Sequence, residues 1–147
     1  MDFNKYIVVL LAALIISCAV VDKEGSPAAN FKHKTEFELF QDYALAACVA
    51  HGYQQGDIYR DAVAALNGYR ARAQVPLEAY QQVNAAIVKW LAKPYQSSSG
   101  NHTEIATCID LVKSQELADI FIAFEPCKNQ ETWRDQTVHK LRCQKRR

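Results

Sequence analysis

Apolar residues recur along most of this chain at steps of three and four, the period of a helix with one buried face, and no segment sustains the alternation of a half-buried strand. Thr35-Glu36-Phe37-Glu38 has the spacing of a capping box and opens a first helix whose stripe is Phe37, Phe40, Ala44, Ala47, Cys48 and His51. Gly52 and Gly56 are expected to end it. Asp57 is expected to cap a second helix, with Ile58, Ala62, Ala65, Leu66 and Tyr69 on one side and Gly68 and Gln74 marking a weak finish. Pro76 suits the first turn of a third, carrying Leu77, Tyr80, Val83, Ile87, Trp90 and Leu91 inward until Pro94 forbids continuation.

The next ten residues, Pro94 to Thr103, form the one long loop expected inside the domain. Asn101, with Glu104 three positions on, is expected to cap a fourth helix with Ile105, Cys108, Ile109 and Val112 facing in. The period then slips, since Leu117 follows Val112 by five, and one straight helix does not keep such a step on one face. A break at Lys113-Ser114 therefore starts a fifth helix, capped by Ser114 and bearing Leu117, Ile120, Phe121 and Phe124 before Pro126. Residues 128–143 hold few apolar anchors beyond Trp133, Val138 and Leu141, enough for a last turn or two. The expected fold class is all-α, a single small bundle of about five helices.

The first residues stand apart from this pattern. Lys5 precedes an apolar run from Tyr6 to Ile16, the length of a signal-peptide core and too short to span a bilayer. The run ends in Leu14-Ile15-Ile16-Ser17-Cys18, which resembles a bacterial lipobox with Cys18 as the acylated residue; Ala19 in place of aspartate then points to the outer membrane. The alternative is an ordinary signal cut near Ala28-Ala29. Residues 1–17 are thus read as the signal, 18–34 as lipidated cysteine and flexible tether, 35–127 as the helical domain and 128–147 as a basic extension.

Export gives the cysteines their meaning. With Cys18 set aside, Cys48, Cys108, Cys127 and Cys143 form an even set in an oxidising compartment. Three pairings are open; Cys48–Cys108 is favoured because both lie on apolar stripes, and Cys127–Cys143 because the pair flanks a segment short of core. Charge is divided: residues 19–127 carry nine Lys/Arg against thirteen Asp/Glu, and residues 128–147 seven against two. The basic end reads as a solvated terminus, and a formal net charge of +1 over the whole chain gives no reason to expect nucleic acid.

Chemistry is sparse. His33, His51, His102 and His139 stand in tether, helix, loop and tail with no metal spacing, so neither metal nor cofactor is expected. His51 lies one turn from Cys48, but an oxidised cysteine offers no thiolate. Asp110 with Glu116, or Asp57 with Asp61, could be cast as acid and base, yet exposed helical carboxylates are ordinary. Tyr43, Tyr69, Tyr80 and Trp90 fall at helical spacing and read as core. These absences point to a protein that binds rather than catalyses.

Certain segments resemble a known family. Asp42-Tyr43-Ala44-Leu45-Ala46-Ala47-Cys48-Val49-Ala50, then Lys93-Pro94-Tyr95, then Cys108-Ile109-Asp110-Leu111 followed by Ser114-Gln115-Glu116-Leu117 resemble, in order and spacing, the type VI secretion amidase immunity proteins of the fourth Tai group. The likeness runs from about Phe37 to Phe124, and Thr132-Trp133-Arg134 is similar to the tail of several members. It implies a helical periplasmic protein, often a homodimer, that blocks a cognate peptidoglycan amidase of the NlpC/P60 cysteine-peptidase type. The apparent lipobox, Cys127, Cys143 and the basic extension depart from that pattern. A structural or envelope-assembly lipoprotein is the competing reading. For immunity by inhibition, the candidate partner-binding residues are Tyr95, Gln96, Ser97, Ser98, Ser99 and Gly100, short or backbone-rich positions held between two helices.

Overall fold

The computed structural model describes residue 31, residues 33–93 and residues 95–143. The signal, Cys18, most of the tether, Pro94 and the last four residues lie outside that set. Among the described residues six helices have defined bounds: α1 Glu36–Tyr53, α2 Gly56–Arg70, α3 Leu77–Leu91, α4 Glu104–Lys113, α5 Gln115–Ala123 and, after two 3-10 turns, α6 Gln136–Cys143. Five correspond to the helices read from the sequence, and the sixth is the last turn or two expected of the tail. No β-strand occurs among the described residues.

The predicted capping box is made. The Thr35 hydroxyl accepts the Glu38 N–H at 3.1 Å, and the Glu38 carboxylate accepts the Thr35 N–H at 2.6 Å. Its C-terminus is not where the glycines placed it. Gly52 stays inside α1, and Gln54 takes the left-handed turn at φ 50. The reason Gly52 is glycine is spatial: a Cβ there would lie 2.9 Å from the Glu104 Cβ, so α4 begins hard against the last turn of α1.

Helix α1 is central. Leu39, Phe40, Tyr43, Ala44, Ala46, Ala47, Cys48 and Ala50 are buried around most of its circumference, whereas His51, expected inward, is exposed. Phe40, Tyr43, Ala44, Ala47 and Cys48 join Tyr80, Val83 and Ile87 of α3, Cys108 and Leu111 of α4, and Leu117 and Phe121 of α5 in one core. Phe40 bridges Tyr80 and Phe121, with ring centroids 6.1 and 5.5 Å away. Leu77, on the predicted α3 stripe, is 51% exposed.

Four further readings are corrected. In α2 only Ala62 is fully buried; Leu66 and Tyr69 are partly buried against the core, and Ile58, expected on the same face, is half exposed. Asp57 does not cap it; its carboxylate pairs with Arg60 on the surface. In α4 the buried face is Thr107, Cys108 and Leu111, so Ile105 and Ile109 look outward. Three-and-four spacing fits either face, and packing on both α1 and α3 selects the other one. Asn101 does not cap α4 either, since Thr103 holds that position without a side-chain bond. Ser114 does cap α5, accepting the Leu117 N–H at 3.2 Å while donating to the Leu111 carbonyl at 2.7 Å.

Both favoured disulfides are formed. Cys48–Cys108 joins α1 to α4 within the core, and Cys127–Cys143 closes a span of 16 positions around the tail. That tail is not a solvated terminus through residue 143. Trp133 is buried, donates its indole N–H to the Pro126 carbonyl at 3.0 Å and meets the buried His139 edge to face. On α6, Arg142 reaches the carboxylate of Glu36, which is 1% exposed, at 2.7 Å, and also donates to the Arg72 carbonyl. The second Glu36 oxygen accepts the Gln74 N–H at 2.8 Å. One buried carboxylate thus ties the start of α1, the α2–α3 connection and the tail together.

Replacing Cys127 and Cys143 together by serine removes a loop closure worth about 3 kcal/mol on the chain-entropy model. Chemical unfolding under non-reducing conditions should show that loss, and reduction of the native protein should reproduce part of it. An unchanged unfolding midpoint would mean that α6 holds without its staple.

Candidate partner-binding loop

The loop between α3 and α4 is a small ordered turn. Tyr95 accepts the Thr103 N–H at 3.2 Å, Gln96 and His102 form an antiparallel bridge, and the Ser97 N–H donates to the Asn101 carbonyl at 2.9 Å. At the tip the Gly100 N–H donates to the Ser97 carbonyl at 2.9 Å. Gly100 has φ +80, a left-handed backbone that suits glycine, and open space surrounds the place a Cβ would occupy.

The serines expected to be available to a partner divide into two kinds. Ser97 Oγ accepts the Asn101 N–H at 3.2 Å and lies 2.8 Å from Ser99 Oγ, which accepts from the Asn101 side-chain amide at 3.2 Å. These two hydroxyls hold the turn. Ser98 is exposed at the tip, with Tyr95 half exposed at the base. Asn101, expected as a helix cap, is the linchpin of the turn instead. The structure brings Tyr95, Gln96, Ser97, Ser98, Ser99 and Gly100 into one turn and adds Asn101, read from the sequence as a helix cap, and His102, read as an isolated histidine. The signal for them was present in Ser-Gly-Asn, a turn composition.

The protrusion is held from below. Leu91 and Lys93 on one side and His102, Thr103, Glu104 and Thr107 on the other line a small recess under Tyr95. Glu104 is pressed against Gly52, and one turn further on Cys108 is bonded to Cys48. On the α3 side, Glu116 of α5 accepts from Lys89 at 2.9 and 3.0 Å and from the Trp90 indole at 2.8 Å. Those hydrogen bonds, Lys89's first, hold the Glu116 carboxyl below the usual carboxylate range. Both helices that carry the loop are therefore fixed to the rest of the bundle just before and after it.

The other candidate groups are not brought together for chemistry. Cys48 is a fully buried disulfide sulfur with His51 turned outward. Glu116 is engaged by Lys89 and Trp90 while Asp110 is exposed, and Asp57 is taken by Arg60. Tyr43 and Tyr80 pack edge to face at 4.4 Å in the core, and burial raises both hydroxyl pKa values. Among the described residues no three His, Cys, Asp or Glu side chains cluster as metal ligands would, and no helix is long and apolar enough to cross a membrane.

Residues 38–121 match the family described as Tai4, type VI secretion system (T6SS) amidase immunity protein. The matched span runs from the first turn of α1 to the core face of α5 and includes the whole loop. No curated protein matches the chain.

Proposed function

The chain belongs to the Tai4 family of type VI secretion system amidase immunity proteins, and from that premise we propose that it binds a cognate peptidoglycan amidase in the periplasm and blocks it, with no catalysis of its own. The observation that carries the reading is the protrusion between α3 and α4. Its tip is narrow and its side chains short, its backbone is already hydrogen-bonded, and both supporting helices are locked. A cleft-filling segment loses little conformational freedom on binding when it is ordered beforehand, so more of the contact energy becomes affinity. The family resemblance implies a cysteine-peptidase target, and Ser98 and Gly100, small and exposed at the tip, are the groups that would enter its Cys-His cleft. A second subunit completes the binding surface in a homodimer. Titrating the purified protein into the amidase encoded beside it should stop hydrolysis of peptidoglycan at a fixed stoichiometry; undiminished hydrolysis at saturating protein would reject the reading.

The acyl anchor is part of the same proposal. Cys18, carrying two or more acyl chains, would hold the domain at the periplasmic face of the outer membrane, where an incoming amidase meets its substrate. Cys18→Ala should move the protein from the membrane to the soluble fraction of the envelope. Unchanged fractionation, or a mature N-terminus beyond Ala28, would show an ordinary signal instead.

A further inference from the structure

The two disulfides sit in different surroundings. Cys48 and Cys108 are both 0% exposed inside the core, whereas Cys127 and Cys143 are half-buried and border a small surface recess shared with Phe37 and Glu125. Thiol–disulfide exchange needs a thiolate to reach a sulfur, so access sets which bond is reduced first. The tail bond is the accessible one. Beside it lies the buried pair of Glu36 and Arg142, since Arg142 precedes Cys143 on α6 and the recess that borders the cysteines is lined by both charges as well. Through Arg142, α6 is tied to Glu36 and to the Arg72 carbonyl. The remainder of its hold includes the packing of His139 edge to face on Trp133, in which neither ring nitrogen of His139 has a hydrogen-bond partner among the described residues.

We propose that Cys127–Cys143 is a redox-sensitive latch coupled to the Glu36–Arg142 pair: reduction by a dithiol frees α6 and withdraws Arg142, while the buried Cys48–Cys108 bond keeps α1 and α4 joined. In the exchange a thiolate of the dithiol attacks one sulfur, the other leaves as a thiolate and takes a proton, and the second thiol of the reagent resolves the mixed disulfide. The reagent gives up two electrons and two protons and ends as a disulfide; Cys127 and Cys143 gain them and end as two thiols. While the bond is closed, an undocked α6 stays tethered at Cys127, and Arg142 returns to Glu36 from short range. Reduction removes that tether. With Arg142 withdrawn, Glu36 is a carboxylate at a buried position with the Gln74 N–H still donating to it, so the start of α1 and the α2–α3 connection loosen together with α6. The coupling is reciprocal: the ion pair holds the two sulfurs in bonding range by the same factor that the bond holds the ion pair. The loop Tyr95–Gly100 stands at the other disulfide, whose Cys108 lies one turn past Glu104, and is spared. The inference is independent of what that loop binds.

The test equilibrates the purified protein in buffers of increasing reduced-to-oxidised dithiothreitol ratio, alkylates it and maps the labelled cysteines by mass spectrometry, with hydrogen exchange read on the species that has one bond reduced. Cys127 and Cys143 should alkylate together in a first step while Cys48 and Cys108 stay bonded. The amides of α6 and of Gln74 should then exchange about tenfold faster than in the oxidised protein, the change expected when a docked segment is released. Arg142→Met, and separately Glu36→Gln, which keeps the size and removes the charge, should each make the first bond about tenfold easier to reduce, an ordinary scale for coupling between two linked groups. All four cysteines alkylating in one step, Cys48–Cys108 opening first, α6 and Gln74 as protected after the first step as before it, or a first step unmoved in both variants would each overturn the proposal.

Discussion

Ser98→Arg should abolish protection against the cognate amidase and weaken binding by about 30-fold or more, while leaving thermal unfolding within a degree or so of the native value. The expected loss is that of a central contact in a desolvated interface, about 2 kcal/mol. Ser98 is exposed at the tip and belongs to no hydrogen bond that shapes the turn, so a larger side chain there disturbs only what docks against it. Ser97 and Ser99 behave differently. Exchanging both for alanine leaves Asn101 without its acceptors and loosens the turn, so affinity should fall mainly because the loop must be ordered on binding. Measuring protection in cells alongside affinity and melting temperature separates the cases. Native protection by Ser98→Arg would make the loop a connector and move the inhibitory surface to the helices.

Arg142→Met should cost about 3–5 kcal/mol, the range for removing one partner of a buried ion pair. Glu36 is 1% exposed and the Arg142 side chain 12%, so neither charge is offset by water once its partner is gone. The Arg72 carbonyl loses a donor in the same step. Chemical denaturation gives the magnitude, and the double variant Glu36→Met with Arg142→Met distinguishes the cause. If the penalty is an unpaired buried charge, the double variant should be more stable than Arg142→Met alone. If it is no more stable, the loss comes from packing of the Arg142 stem and the Arg72 contact.

Much of this architecture was written in local sequence. Thr35 and Glu38, and Ser114 three residues before Leu117, specify helix starts through atoms only one turn apart, and both caps are made. The five-residue slip after Val112 marked the α4–α5 break, because a helix cannot bring such a step back to one face. Four cysteines divided between apolar stripes and the flanks of the tail left three pairings open and favoured the one that is formed. The loop was visible as a long polar interval, and the family resemblance rested on segments inside residues 38–121.

Tertiary structure decided what depends on neighbours far along the chain. Ile105 and Ile109 satisfied the apolar period as well as Leu111 did, yet α1 and α3 together bury the face of Thr107, Cys108 and Leu111. Gly52 read as a helix end because glycine serves there; only the approach of Glu104 gives it another reason to be small. The burial of Glu36 with Arg142 joins positions 106 apart, and composition made that arginine one of several charges in a basic tail. Sequence by itself determined the capped starts of α1 and α5, the break between α4 and α5 and the placing of Cys48 and Cys108 on apolar stripes, since those follow from interactions within a few residues. Which face of each helix is covered, and whether a charge or a loop is fixed in place, depended on long-range packing, because the same period and the same residue types are compatible with several assemblies.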